Sequence, residues 1–511
     1  MAAVPAPPQV STPHRPESGA IDHSAPLDIQ RWRPDYAIWL VMALTVVARL
    51  PLIGAPMLSD EGGFLMLASQ WHHGSSLYGN YWVDRPPLLI SIFGIADQLG
   101  GSLEALRLVG TAAALASIAG AAAIGRALAG RRGAVLAATA GAILTTSPLL
   151  QGWEVDGELL ALPFALWGVA LILHGLAQSV VRRRAWLLAG VLGGAAPLVK
   201  QNSIDVAIFG LVMVVVLAST RRIREAAELI ALLALGAMVS LGLTLTWAAW
   251  HGTSPAELWE AVVTFRGQAA SLIAATQPGA ISNRALWLVV AAVASGVAML
   301  AGGALTLTRQ RLPLGGTDLR LPLLAMGAWE IFGVVAGGSY WLHYLLALVP
   351  MLIIAVGALA RRAHAGWLTA TLTWSGLGAV AATVWLVMHP AGLDDQEAAR
   401  WLSAHSEPGD TAVVAYGQPN VLRQANLTSP YPNLWSLPIR VRDPQLSQLT
   451  QALRAPNRPT FVVIKGGQLA SWGLDPTAAE AALHADYRRV AWAGNFAIWR
   501  AESATATGQA H

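Results

Sequence analysis

Two pairs of charged residues lie in one stretch of the chain, LSDEGGFLMLASQWHHGSSLYGNYWVDRPPLL. Asp60 and Glu61 come first, and Asp84 and Arg85 follow before the chain becomes apolar again. A partly dehydrated carboxylate can act as a general base, and Asp60 is the first candidate for that role. The planar guanidinium of Arg85 could bind two oxygens of a phosphate. The alternative interpretations are a solvated acid at Asp60 and an arginine that only reaches lipid headgroups.

Further acids occur in a second polar segment and within an apolar one. Asp156 and Glu158 end the motif Gln-Gly-Trp-Glu-Val-Asp-Gly-Glu and are candidates for a site, whereas we interpret Glu154 in the same motif as solvated. Glu330 follows Trp329 inside an apolar segment, where acids are costly and usually functional. Its partner is not evident from the sequence.

Basic residues that could stabilise a phosphate accompany these acids. Besides Arg85, the candidates are Lys200, Arg266 and His343. Arg107 could contact the same anion, or it could pair with Glu104 three residues earlier on a helix.

Metal chemistry stays open at this level. The chain has no Cys, which excludes disulfides, thiolate metal sites and a Cys nucleophile. Carboxylates could still hold a divalent cation if they converge, and the candidates are Asp60, Glu61, Asp84 and Asp156. The adjacent His72 and His73 point in different directions on a helix, so they are a weak metal pair.

The composition indicates which elements must position these residues. Of the 511 residues 55% are hydrophobic and only 12% are charged, and the mean hydropathy is +0.50. A soluble domain carries about 25% charged residues, so this composition excludes a soluble enzyme, a disordered chain and a fibrous repeat. Apolar segments long enough to cross a bilayer recur along the chain. We therefore predict an α-helical polytopic membrane protein.

Eleven apolar segments are predicted to cross the membrane. They are 36–53, 104–126, 134–150, 158–180, 185–199, 203–219, 228–250, 284–307, 321–336, 340–360 and 366–388. The stretch 86–100 is short and begins with two prolines, so we predict an interfacial or re-entrant helix there.

The distribution of basic residues supports this assignment and orients it. With residues 1–34 as a disordered cytoplasmic tail, the Arg clusters between the segments all lie on the cytoplasmic side, as the positive-inside rule requires. The loops 54–103, 151–157 and 251–283 are then extracytoplasmic, in a cell membrane. Apart from Glu330, which lies within an apolar segment, the acids and cations named above belong to that outer side.

The chain is predicted to end in a small extracytoplasmic α/β domain, over residues 390–511. Helices near 394–405, 443–454 and 476–485 alternate with strands at 411–416, 460–464 and 488–499. Alternation of this kind indicates a sheet with helices packed on it. The remaining part, 35–389, is the predicted membrane domain.

Several motifs, in this order, resemble the GT-C superfamily of membrane glycosyltransferases. The first apolar segment ends in an Asp-Glu pair and is followed by LYGNYWVDRPPLL and by the helix start Glu104-Ala-Leu-Arg107. The acidic 151–158 motif, the glycine-rich segment ending in Lys200 and the late Gly-Ser-Tyr-Trp-Leu-His343-Tyr344 segment continue the pattern. The resemblance is greatest to the branch of protein O-mannosyltransferases and lipid A aminoarabinose transferases. Members often have Lys or His where this chain has Arg85.

This resemblance implies a GT-C fold and transfer of a sugar from a polyprenyl-phosphate carrier to an acceptor hydroxyl at the outer face. It implies Asp60 as the base, Arg85, Lys200, Arg266 or His343 at the donor phosphate, and Glu61, Asp84, Asp156 and Glu158 as supporting acids. The implied partners are the lipid-linked donor, the bilayer and an acceptor protein, glycolipid or polysaccharide, without nucleic acid. The sugar would be mannose or another hexose or pentose.

Three other functions compete with this one. A transporter or lipid flippase would show repeats and midplane charges, whereas here no repeat is visible and the polar residues gather on one side. A non-catalytic scaffold would tolerate loss of Asp60. A ligase or polymerase of lipid-linked oligosaccharides would share the phosphate chemistry without the early Asp-Glu pair.

Overall fold

The computed structural model describes residues 35–71, 76–177, 183–276, 278–362 and 366–502. The predicted tail 1–34 and the His72-His73 pair lie outside the described residues. From Tyr36 onward the described chain belongs to one unit.

Every predicted apolar segment is helical. The helices are α1 (Tyr36–Arg49), α4 (Leu103–Thr146), α5 (Gly157–Leu176), α6 (Arg183–Val199), α7 (Asp205–Ser219), α8 (Ile223–Trp250), α11 (Pro278–Ala294), α12 (Val297–Leu307), α13 (Arg320–Ala336), α14 (Val349–Leu359) and α15 (Gly366–Met388). A helix satisfies its backbone hydrogen bonds internally, which lipid requires. The predicted fold class, a helical polytopic membrane protein, is confirmed.

Two predicted segments lie within α4. Its backbone leaves the helical conformation at Ala129 and at Gly130, where φ is +61°. The two arms meet closely beside this bend, since a Cβ on Gly125 would lie 2.2 Å from the carbonyl oxygen of Gly133. The 44 residues of α4 therefore form two helices that fold back on each other, as the two separate segments predict.

By length and composition, five described helices can each cross a bilayer. They are Leu103–Thr146, Gly157–Leu176, Ile223–Trp250, Leu342–Leu359 and Gly366–His405. A sixth is the bent pair Ile281–Ala294 and Val297–Leu307, whose axes differ by 72°. The apolar side chains of α8, α11 and α15 are largely exposed, which is typical of surfaces that face lipid.

Short helices follow the first membrane segment and the seventh. They are α2 (Ser59–Gln70), α3 (Pro87–Gln98), α9 (Pro255–Trp259) and α10 (Phe265–Thr276), with a π-helical turn at Glu260–Thr264 between the last two. Helix α3 coincides with the predicted short helix, and Pro87 occupies its first turn, where the missing N–H is harmless. Asp60 and Glu61 occupy the first turn of α2, where negative charge is favourable.

The C-terminal region contains the predicted sheet. Its elements are α16 (Leu393–His405), β3 (Ala412–Ala415), α17 (Pro419–Ala425), α18 (Ser436–Arg442), α19 (Ser447–Arg454), β4 (Phe461–Lys465), α20 (Thr477–Asp486), β5 (Tyr487–Ala493) and β6 (Phe496–Ala501). The strand order is β3-β4-β6-β5, with β3 parallel to β4 and the other pairs antiparallel. A hairpin of two short antiparallel strands, β1 (Pro313–Leu314) and β2 (Thr317–Asp318), precedes α13.

One sequence-based prediction in this region is wrong, and two helices were not predicted. The single closing strand at 488–499 is a hairpin, because Gly494 takes a φ of +57° and turns the chain with Asn495. Helices α17 and α18 are absent from the prediction, since each has only seven residues and shows no apolar periodicity.

The sheet region and the short helices α2 and α3 share one hydrophobic core. Phe64 of α2 and Phe93 of α3 belong to the same buried cluster as Val421 of α17 and Phe461 of β4. Helix α2 is therefore held between the membrane helices and the C-terminal region.

Candidate active site

Asp60 lies in the first turn of α2 with its side chain half-buried. Its Oδ1 accepts a hydrogen bond of 2.9 Å from Nε1 of Trp435, which precedes α18. The C-terminal region thus contacts the proposed base directly.

Glu61 is fully buried beside Asp60 and has three donors. Its Oε2 accepts from Nη2 of Arg107 at 2.7 Å and from the Leu58 backbone N–H at 3.1 Å, and its Oε1 accepts from the Val155 N–H at 3.0 Å. The predicted pairing of Arg107 with Glu104 is therefore wrong, because Arg107 points into the protein whereas Glu104 is exposed. Glu61 holds α2 against α4 and the 151–157 loop.

Asp84 joins two arginines of the predicted set. Its carboxylate lies 2.7 Å from Nη1 of Arg85 and 2.9 Å from Nη2 of Arg266. Burial by itself would raise the pKa of Asp84, but Arg266 and Arg85 outweigh it and the pKa is lowered. Burial likewise opposes the charge of Arg85, yet Asp84, Asp60 and Glu158 raise the pKa of that guanidinium. Arg85 therefore lies between the base and the second acidic segment.

We expect Asp84 to stabilise the fold at neutral pH and to lose that contribution in acid. Its folded pKa lies below that of the unfolded chain, so the stabilisation is present above about pH 4 and disappears as pH falls through the folded pKa. Thermal unfolding of the wild type and of Asp84→Asn measures this: the gap between them should narrow as pH falls from about 7 to about 3. Glu397→Gln, at an exposed acid, is the control. A gap independent of pH would contradict the prediction.

The second acidic segment meets Lys200 and His343. Lys200 Nζ lies 2.6 Å from Oε1 of Glu158, and burial lowers the pKa of Lys200 despite this neighbour. His343 Nδ1 lies 3.7 Å from Asp156 Oδ2 and 3.2 Å from Gln151 Oε1, and its Nε2 lies 3.9 Å from Glu158. Five polar side chains from three segments thus converge.

One carboxylate oxygen of Asp156 caps the N-terminus of α5, and the other does not take part in the cap. Its Oδ1 accepts from the Leu159 N–H at 2.8 Å, whereas its buried Oδ2 has no hydrogen-bond partner among the described residues. Burial and the nearby Glu158 raise the pKa of Asp156 well above its ordinary value. Glu154 is buried too, so its interpretation as solvated is wrong, and burial with Glu61 and Asp156 raises its pKa.

Among the described residues, Asp156, Glu158 and His343 form the group that could hold a metal ion. Their ligand atoms lie within 4.8 Å of one another, and the free Asp156 Oδ2 suits a cation. Glu158, however, already binds Lys200, so an ion would have to compete with the ammonium. The carboxylates of Glu61 and Asp84 are taken by Arg107 and by Arg85 with Arg266. The four acids predicted for a cation therefore face different partners.

A cavity of about 240 Å³ adjoins these charges. Its polar wall contains Glu158, Lys200 and Arg266, and its apolar wall is formed by Phe332 and Val334 of α13. Arg85 does not line this cavity and faces Asp84 instead. A space with cations at one side and apolar residues at the other suits a phosphorylated lipid.

Glu330 does not line this cavity but lines a smaller one beside it, together with Glu158 and Asp205. Its Oε1 accepts from the Met351 N–H at 3.1 Å, and its other polar neighbour is Asp205 at the start of α7. The sequence shows no partner for Glu330 because 125 residues separate the two carboxyls along the chain.

Sequence reasoning missed Trp435 and Gln151. Gln151 takes a left-handed φ of 52° after the helix end and presents its Oε1 to His343. Trp435 follows a loop without any periodic pattern, so no local signal links it to Asp60.

Comparisons with known proteins agree with this architecture. A family model described as dolichyl-phosphate-mannose-protein mannosyltransferase matches residues 84–250. The structure of ArnT from Cupriavidus metallidurans in the apo state has a TM-score of 0.66 at 17% sequence identity, covering 92% of this chain and 99% of that one. ArnT bound to undecaprenyl phosphate has a TM-score of 0.64 at 15% identity, covering 93% and 100%.

A more distant likeness exists to the archaeal oligosaccharyltransferase AglB from Archaeoglobus fulgidus, in complex with an inhibitory peptide and a dolichol-phosphate. Its TM-score is 0.51 at 13% identity, over 94% of this chain and 75% of that one. No curated protein sequence is significantly similar to the chain. The chain has the GT-C fold, and its predicted resemblance to the GT-C superfamily is confirmed.

Proposed function

We propose that the chain is an inverting membrane glycosyltransferase that moves a sugar from a polyprenyl phosphate to an acceptor hydroxyl at the outer face of the cell membrane. The sugar is mannose or another hexose or pentose, and the acceptor is a protein, a glycolipid or a polysaccharide. The match to a mannosyltransferase family model and the likeness to a structure with bound undecaprenyl phosphate support this proposal.

One observation carries the proposal. Lys200 and Arg266 face a cavity whose other wall is the apolar surface of α13, while Arg85 lies between Asp84, Asp60 and Glu158. A lipid phosphate needs this combination, because its chain requires apolar contact and its headgroup requires cations at the same depth. A base beside the cations supplies the remaining component of a transfer reaction.

The reaction follows from these positions as one displacement. The acceptor oxygen attacks the anomeric carbon and loses its proton to the Asp60 carboxylate. The new carbon–oxygen bond forms as the bond to the phosphate oxygen breaks, which inverts the anomeric centre. Polyprenyl phosphate leaves with the bonding electron pair, and Lys200, Arg266 and Arg85 stabilise the charge it gains. Glu61, Asp156 and Glu158 hold the base, His343 and Lys200 in place.

Donor consumption tests the proposal directly. The purified protein in lipid vesicles would be given polyprenyl-phosphate-mannose or polyprenyl-phosphate-arabinose, with envelope extract as the acceptor. We expect free polyprenyl phosphate and a glycosylated acceptor to appear together. Movement of intact donor across the vesicle membrane without cleavage would contradict the proposal and favour a flippase.

Removing the cations of the cavity is expected to weaken donor use. Lys200→Gln or Arg266→Gln should lower kcat/KM for the donor by about tenfold or more, since a hydrogen bond to a charged group contributes about 1.5–3 kcal/mol. Arg284→Gln is the matched control, because Arg284 stacks on Trp341 and does not line this cavity. Steady-state kinetics with varied donor makes the comparison. Equal values for all three variants would contradict a phosphate at this cavity.

A further inference from the structure

Polar contacts join the C-terminal region to the chain on both sides of α2. Asn420 of α17 donates from Nδ2 to the Met57 carbonyl at 2.9 Å, and the Trp82 N–H donates to the Pro432 carbonyl at 3.0 Å. The Ser429 N–H donates to the Tyr81 hydroxyl at 3.0 Å. These bonds fix the segment before α18 over the loop that carries Asp60.

Two glycines after Asp60 allow this approach. A Cβ on Gly62 would lie 2.3 Å from Cα of Asn420, and one on Gly63 would lie 2.2 Å from Cζ2 of Trp435. Real Cβ atoms do not come so close to other heavy atoms. The Gly-Gly pair therefore makes room for α17 and for one indole ring.

The indole ring of Trp435 packs on another aromatic ring and also donates a hydrogen bond. Trp435 packs on buried Phe64, with ring centroids 5.4 Å apart. Its Nε1 donates to Asp60 Oδ1 at 2.9 Å, and Nε1 is the only polar atom of an indole side chain. The Asp60 Oδ2 does not take part in this bond and stays available to the acceptor proton.

We infer that Trp435 is a positioning residue for Asp60, through which the C-terminal region completes the reaction site. This inference rests on the proposed function. A hydrogen bond donated to one oxygen of a carboxylate restricts its rotation, and a general base must be held in a fixed orientation towards the proton it takes.

Trp435→Phe tests this role because it keeps an aromatic ring on Phe64 and removes the donor. We expect kcat to fall about 10- to 100-fold while the donor KM changes by less than about twofold. Trp492→Phe, at a half-exposed ring on β5, is the control and should retain wild-type values. A lowered melting temperature with an unchanged kcat would overturn the positioning role.

Gly63→Ala provides a second variant that retains the indole. Its methyl group would displace the ring of Trp435, so kcat should fall as in Trp435→Phe. Phe lacks the outer ring of indole, so Gly63→Ala should have a much smaller effect in a Trp435→Phe background, where the contact of the methyl group with Pro419 Cγ at 2.8 Å remains. Effects that multiply would show that the glycine acts elsewhere and would overturn the inference.

A readout without catalysis separates this inference from the proposed function. The indole N–H resonance that Trp435→Phe removes should move upfield in Asp60→Asn, since a charged acceptor becomes a neutral one. An unmoved resonance would overturn the contact whatever the enzyme does. If the resonance moves while Trp435→Phe consumes donor at the wild-type rate, the positioning role is wrong and the proposed function stands.

Discussion

Replacing Asp60 by Asn is expected to reduce sugar transfer by about 10²- to 10⁴-fold, which is the usual contribution of a general base. Asn nearly preserves the shape of the side chain and can still accept the bond from Trp435. It cannot take the proton of the acceptor hydroxyl. The loss should therefore appear in kcat, with donor binding little changed, because the cavity proposed for the phosphate is lined by Lys200 and Arg266 and not by Asp60.

The matched control is Asp97→Asn, the same substitution at the end of α3 in the same loop. Asp97 pairs at 3.2 Å with Arg423 and has no contact with Asp60 among the described bonds. Its variant should transfer sugar at close to the wild-type rate, and both variants should unfold at a temperature close to that of the wild type. An Asp60→Asn enzyme as active as the wild type would mean that another group is the base.

The second large effect is expected on stability. Arg107→Met should reduce the free energy of unfolding by about 3–5 kcal/mol, because it leaves the Glu61 carboxylate buried without a countercharge. Glu61 and Arg107 are 0% and 2% exposed, so water cannot replace the lost partner. Arg107 also donates to the Trp153 carbonyl at 2.7 Å, and that bond is lost too. Denaturant unfolding in detergent micelles measures the change.

Two further variants make this prediction specific. Glu104→Gln lies one turn earlier on α4 at an exposed position and should unfold like the wild type. The double variant Glu61→Gln with Arg107→Met should recover part of the loss, because it removes the unpaired charge as well. If Arg107→Met proved as stable as Glu104→Gln, the buried pair would not have the strength assigned to it.

Local pattern was sufficient for most of the elements. Apolar segments of bilayer length became helices, and the short stretch after Pro86 became α3, since each of these follows from hydropathy and proline geometry over neighbouring residues. The alternating strands and helices of the C-terminal region were also predicted from their local pattern. The hairpin at Gly494 and the seven-residue helices α17 and α18 were not, because so few residues show no period.

The partners of the charged residues were much harder to predict from the sequence. The motif spacing placed Asp60, Arg85, Lys200 and His343 among the candidates, and the structure brings Lys200 and His343 together at Glu158. It also pairs Asp84 with Arg266, which lies far along the chain. The i, i+3 rule suggested Glu104 for Arg107, yet the helix turns Arg107 inward to Glu61. Helical spacing shows which residues share a face and leaves open what that face meets.

The sequence alone determined that the chain is a helical membrane protein with its acids and cations gathered in a few loops, because the exclusion of water from lipid acts on every apolar segment separately. Only the tertiary structure decided which partner each charged residue contacts. Glu61 binds Arg107, which lies 46 residues away along the chain, and Asp60 accepts a hydrogen bond from Trp435, which lies 375 residues away. Such contacts depend on how whole helices pack and on two glycines that allow the C-terminal region to approach α2. Close packing in three dimensions is a property of the assembled chain, and no local stretch of residues encodes it.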